Sequence, residues 1–284
     1  MQDAFNQEVK WLQLKLKILD MPVFSTSIHK WLARKKHFSK VLECGTGAGD
    51  FIHILEKIIT FDELLGFDVS TGLVLKASET FAENKRMKFI THDLHDTSKA
   101  IEIPNNFDLI TGLALLEHTH MEEIIPILKS YCNRGGFMYF PHNYMSPPIF
   151  EPTFDTGVDT RIIQNFDTFS IENKEYKGKI VGDSRCGAKL YNTFIEHGME
   201  VILFDCTNWL LYPKQGKYTE EEAEILRMMV NFFYNANKNP MIPVSCRIND
   251  KILEDWKFTR LSQIEENKLV FICPQTSILV KKTG

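Results

Sequence analysis

Apolar residues recur along this chain at two spacings, and the change from one to the other marks its organisation. Residues 4–20 place Phe5, Val9, Leu12, Leu16 and Leu19 at helical spacing, and a second helix is expected over "TSIHKWLARKKHF", with Ser25 or Thr26 as N-cap. From residue 40 short apolar runs alternate with amphipathic stretches. "KVLEC", "ELLGFDVS", "MKFITHD", "FDLITGLALLEH" and "GGFMYFPHN" read as strands. Between them "DFIHILEKII", "TGLVLKASETFAEN" and "MEEIIPILKSYCNR" read as helices, the last broken or shifted near Pro126. Such a succession predicts a parallel sheet with helices on both faces and ligands beyond the carboxyl ends of the strands.

Residues 144–180 leave that rhythm. Pro147, Pro148 and Pro152 stand there among Phe, Ile and Tyr, too apolar a mixture for a disordered linker, so an ordered excursion is expected. "CGAKLYNTFIEHG" and "MEVILFD" then resume the sheet, residues 218–265 read as largely helical, and "KLVFICPQTSILVKK" is a last strand. The organisation expected is N-terminal helices over 1–37, then one domain over 38–284 carrying cap insertions at about 144–180 and 212–265.

Composition narrows the classes of function. With 284 residues, 44% of them hydrophobic, the chain can bury a sizeable core. A formal net charge of -4 gives no general basic surface for nucleic acid. The six cysteines (Cys44, Cys132, Cys186, Cys206, Cys246 and Cys273) include no CxxC pair, so buried thiols are expected rather than a disulfide frame or a metal site. The N-terminus lacks an apolar signal core and no apolar run is long enough to span a bilayer. A soluble cytoplasmic protein is expected, without nucleic-acid or membrane partners and with a homodimer left open.

The most specific local signal is "VLECGTGAGDF", residues 41–51. A strand reaches Glu43 and turns through Gly45, Thr46, Gly47 and Gly49 into a helix. A dinucleotide fingerprint needs G-x-G-x-x-G, but the third position here is Asp50, whose carboxylate at a helix N-terminus repels pyrophosphate. The pattern G-x-G-x-G with an acid two residues ahead resembles motif I of the class I S-adenosylmethionine (SAM) dependent methyltransferases. Their cofactor carries no phosphate but does carry an ammonium and a sulfonium, which suits Glu43.

That resemblance is strong over residues 38–142 and implies further positions. Asp68, ending "LLGFDVS" with Val69 beside it, corresponds to the acid that accepts the ribose hydroxyls. Asp93 in "ITHDL" corresponds to the acid that meets the adenine amino group, with Leu94 against the ring. Thr111, Gly112 and Leu113 correspond to the fourth-strand end that borders the methionine moiety. A looser likeness to a bacterial small-molecule methyltransferase subset rests on "FPHNYMSPPIFEP", "GDSRCGAKLYNTFIEHGMEV", "NWLLYPKQGKYTEEEAEIL" and "DWKFTRLSQIEENKLVFICPQ". The implied fold is a Rossmann-like α/β domain with a seven-stranded, mostly parallel sheet. The implied cofactor is SAM, with S-adenosylhomocysteine (SAH) as product.

Methyl transfer needs alignment of donor and acceptor, and a base only where the acceptor must lose a proton. The Asn/Asp-Pro-Pro-aromatic loop of exocyclic-amine methyltransferases is replaced here by "TGLALLEH". That argues against exocyclic-amine chemistry but not against every amine. A small-molecule acceptor is expected, methylated at oxygen as the first choice with nitrogen or carbon left open, and with His142 as first candidate base and His118 as second. Asn143, Tyr144 and Arg185 are candidate substrate contacts. A SAM-binding sensor or scaffold, or a protein or RNA methyltransferase, remain as alternatives.

Overall fold

The computed structural model describes Leu14 and residues 26–96, 103–145, 147–173, 175–176 and 178–284. The helix expected over residues 4–20 lies outside the described residues apart from Leu14. The second expected helix, α1 (Thr26–Lys35), buries Ile28, His29 and Leu32. It stops where Lys36 takes a left-handed conformation (φ 66°), so His37 and Phe38 open the first strand instead of closing the helix.

Four parallel pairings follow from the alternating pattern. β1 (His37–Cys44) lies between β2 (Thr60–Asp68) and β4 (Phe107–Thr111), β3 (Met87–Thr91) flanks β2, and β5 (Cys132–Tyr144) flanks β4. The connecting helices are α2 (Asp50–Leu55), α3 (Thr71–Thr80) and α4 (Met121–Tyr131). α4 runs through Pro126 without a break, contrary to the sequence expectation. A proline there removes one backbone bond, while Met121, Ile124, Ile125 and Leu128 are all buried along the helix.

The chain then adds β6 (Ile149–Glu151), α5 (Thr156–Phe166) with a wide turn over Asp167–Glu172, and the hairpin β7 (Glu175–Tyr176)–β8 (Lys179–Ile180). α6 (Cys186–Glu196) and β9 (Met199–Leu211) return to the sheet. α7 (Glu220–Asn237) and α8 (Asp250–Glu265) precede β10 (Val270–Lys282), which inserts antiparallel between β5 and β9. The seven long strands thus run β3-β2-β1-β4-β5-β10-β9, with the short β6 added beside β10. This is the Rossmann-like sheet expected, with its antiparallel member at β10.

Two apolar clusters sandwich the sheet. One joins α1, α2, α5, α7 and α8 to Val41, Leu109, Tyr139, Phe271 and Trp209. The other joins α4 and α6 to Leu42, Ile110, Met138, Phe140 and Ile278. The helices of the excursions are locally well specified. Asp155 caps α5, Asn249 caps α8, and Thr219 with Glu222 forms a reciprocal capping box on α7. Trp209 belongs to β9, which runs beyond the expected "MEVILFD" to Leu211.

Candidate active site

The glycine turn takes a shape that explains its composition. Gly45, Gly47 and Gly49 have φ of 67°, 55° and 89°, the left-handed region that a side chain disfavours. Gly49 also admits no Cβ, since one would lie 2.6 Å from Phe81. The turn is tied to the neighbouring strand by Thr46 N–H donating to Phe67 O and Gly47 N–H donating to an Asp68 carboxylate oxygen at 3.0 Å. The other Asp68 oxygen accepts from Ser70 N–H at 2.9 Å. Asp68 therefore locks together the ends of β1 and β2. A carboxylate has about four acceptor positions, which leaves capacity for further donors.

Glu43 is 1% exposed and accepts a 2.5 Å hydrogen bond from the Thr46 hydroxyl. Burial pushes its carboxyl up to about 8, with Asp68 and Asp50 adding to the rise and the Thr46 bond opposing it. Three acids thus converge on one turn, an arrangement suited to a cationic group and hostile to phosphate.

At the end of β3, Asp93 receives the Tyr176 hydroxyl of the β7–β8 hairpin at 2.7 Å and the backbone N–H of His95 at 2.9 Å. Leu94 is buried beside it, whereas Val69 is exposed. At the end of β4, Thr111 donates its hydroxyl to Tyr139 O at 2.7 Å. Gly112 packs against Cys44 O and Leu115, and Leu113 is half-buried. Glu43, the three glycines, Asp68, Asp93 and residues 111–113 all stand at the carboxyl ends of β1–β4.

The candidate bases have different surroundings. His118 lies on a short turn after β4 with its side chain 49% exposed, its Nε2 4.0 Å from Glu117. His142 is 2% exposed, has φ of 64°, donates its N–H to Ser277 Oγ, and turns its ring edge to Trp209. Of the expected substrate contacts, Tyr144 donates its hydroxyl to Asp167 at 2.9 Å. Asn143 is used within the sheet, its Nδ2 donating to Phe140 O and Thr276 O. The Arg185 side chain is exposed, and Lys189 rather than Arg185 pairs with Asp183.

Sequence reasoning missed four residues. Glu117 is buried, and its carboxylate accepts Tyr144 N–H at 3.0 Å while its carbonyl accepts Asp183 N–H. Tyr176 and Asp167 sit in an irregular segment where periodicity carries no signal. Gln275 had one: in "FICPQTSIL" polar Gln275 and Ser277 follow Phe271 and Cys273 at period 2, on the core-facing side of a strand. Two surface hollows of about 420 and 470 Å³ lie at the opposite end of the sheet, around Arg86 and Arg134, away from every residue above. Among the described residues no cluster of three His, Cys, Asp or Glu could hold a metal, and no helix is long and apolar enough to cross a membrane.

Residues 42–138 match the family model described as a methyltransferase domain. No curated protein matches the chain significantly. Among solved structures, a protein from Bacillus halodurans C-125 provisionally named a methyltransferase has a TM-score of 0.52 at 12% identity, over 90% of this chain and 96% of its own. The YcgJ protein of Bacillus subtilis has a TM-score of 0.50 at 11% identity, over 90% of this chain and 97% of its own. These likenesses show the fold. The fainter one to phosphoethanolamine N-methyltransferase 2 of Haemonchus contortus, solved with SAH, has a TM-score of 0.45 at 14% identity, over 92% of this chain and 53% of its own.

Proposed function

We propose that the chain, whose residues 42–138 match a methyltransferase domain, is a class I SAM-dependent methyltransferase that methylates a small molecule, at oxygen, beneath a cover formed by the two excursions. The observation that carries this reading is the Tyr176–Asp93 hydrogen bond, by which the cover hairpin reaches onto the acid assigned to the adenine amino group. A cover that close to the cofactor end favours a small acceptor over a polymer.

Glu43 is assigned to the cation of the methionine moiety, the glycine turn to its backbone cradle, and Asp68 to the ribose hydroxyls. The cofactor supplies an already activated methyl on its sulfonium. The protein's own work is to align the acceptor, to exclude water, and to take the hydroxyl proton where there is one. His142 is the first choice for that proton, because it lies two residues before the end of β5 with its ring beside Trp209, on the face to which the cover packs. His118 is the second.

The test is a metabolite library screened with methyl-labelled SAM, followed by location of the label on the product. Label transferred to a hydroxyl supports the reading, and label found only on polypeptide or RNA overturns it. His142→Ala is expected to leave SAM affinity nearly intact and to lower turnover by roughly 10²–10⁴-fold, the range of a lost general base. Near wild-type turnover in both His142→Ala and His118→Ala would mean catalysis by alignment alone.

A further inference from the structure

The sheet face beneath the cover is apolar along β9 and β10, with Phe271, Cys273, Trp209, Leu211 and Leu279 in its core. One row across three strands breaks that pattern. Gln275 on β10 lies directly opposite Tyr144 on β5 and Thr207 on β9, which places all three side chains on this face. Gln275 is 5% exposed, and its amide nitrogen, in the assigned orientation, donates to Cys273 Sγ at 3.1 Å. Its Oε1 and the buried Thr207 hydroxyl have no partner among the described residues. Buried polar atoms without partners are costly and rare, and two in one row call for an explanation.

The neighbouring groups define what would satisfy them. Tyr144 donates its hydroxyl hydrogen to Asp167, so its phenol oxygen keeps lone pairs free to accept. Asp167 is raised to about 6 by burial, eased by the Tyr144 bond and raised further by Glu172. With Gln275 Oε1, the row therefore offers hydrogen-bond acceptors and negative charge. A carboxylate or phosphate placed there would find the Thr207 hydroxyl as a donor but otherwise acceptors and the repulsion of Asp167, whereas an ammonium would meet Gln275 Oε1, the Tyr144 oxygen and the field of Asp167.

We propose that the Tyr144–Gln275–Thr207 row, with Asp167 above it, recognises an amine-bearing acceptor molecule and rejects its anionic counterpart. The proposal rests on the methyltransferase reading and adds the acceptor's charge to it. Trp209, one position along β9 on the same face, and the Tyr144 ring supply aromatic walls, so the acceptor body is aromatic.

The experiment loads the full chain with SAH and measures binding of two matched pairs by calorimetry: tyramine against 4-hydroxyphenylacetate, and tryptamine against indole-3-acetate. At least one amine is expected to bind about tenfold or more tightly than its acid partner. Gln275→Leu and Thr207→Val are expected to abolish that preference, and Gln275→Glu to keep or raise it, with SAH affinity held in all three. If the acids bind as well as the amines, if neither pair binds, or if Gln275→Glu reverses the order, the proposal is overturned. If SAH itself does not bind, the methyltransferase reading fails, and this proposal fails with it.

Discussion

Glu43 shows how one residue can couple a ligand to a proton. Its folded-state value of about 8 lies above the ordinary 4.5, so the folded protein holds a proton there that the unfolded chain releases. That contribution to stability is complete below about pH 4.5 and is lost as pH rises through about 8. Glu43→Gln is expected to flatten the decline in melting temperature across this window; a decline equal to wild type would show that Glu43 is not its source. A cation bound beside Glu43 favours the carboxylate, so SAM binding at pH 7 should release close to one proton, read from calorimetry in buffers of different ionisation enthalpy. No release would mean that the acid is already ionised. Gly49 makes a steric counterpart. Gly49→Ala puts a Cβ at φ 89° against Phe81, which stacks on Phe89, and is expected to cost about 2–4 kcal/mol by chemical denaturation.

At the scale of elements, the cover is fastened by a buried charge pair rather than by apolar contact alone. The Asp159 carboxylate on α5 accepts from Arg260 Nη2 at 2.6 Å and from Trp256 Nε1 at 2.7 Å on α8, and from Phe154 N–H at 3.0 Å. Arg260 is fully buried. Asp159→Ala strands that guanidinium and is expected to cost about 3–5 kcal/mol, whereas the double change Asp159→Leu with Arg260→Met should lie much nearer wild type. A double variant as unstable as the single one would show that packing, not charge, holds α5 to α8. The sequence made the sheet legible because β1–β5 alternate with helices at regular intervals, and it made the proposed cofactor residues stand out because Glu43, Asp68 and Asp93 lie at or near the ends of successive strands. It could not place the acceptor side. Tyr176, Asp167 and Glu117 act through contacts between segments far apart in the chain, and no local pattern encodes those. α4 was misjudged at Pro126 because propensity was weighed without the burial of Ile124, Ile125 and Leu128.

Across the whole molecule, the irregular segment after β5 is tied back to the strand ends at several points. Tyr176 reaches Asp93 beyond β3, Lys179 pairs with Glu123 at the start of α4, Tyr144 holds Asp167, and Ser184 is hydrogen-bonded to Glu172. The Lys179–Glu123 pair is exposed and gives little fastening in water. The Tyr176–Asp93 bond differs, because under the proposed assignment Asp93 also meets the adenine amino group. One carboxylate can accept from both, so cofactor and hairpin would order each other through a shared acid, each lowering the entropic cost of the other. SAH is therefore expected to slow proteolytic cleavage within residues 144–180. Tyr176→Phe should remove most of that protection and weaken SAH binding by less than about tenfold, the size of one hydrogen bond to a charged group. Cleavage at equal rates with and without SAH would show that the hairpin is indifferent to the cofactor. Full protection in Tyr176→Phe would place the coupling in another contact, with Tyr144–Asp167 the next to be tested by Asp167→Asn.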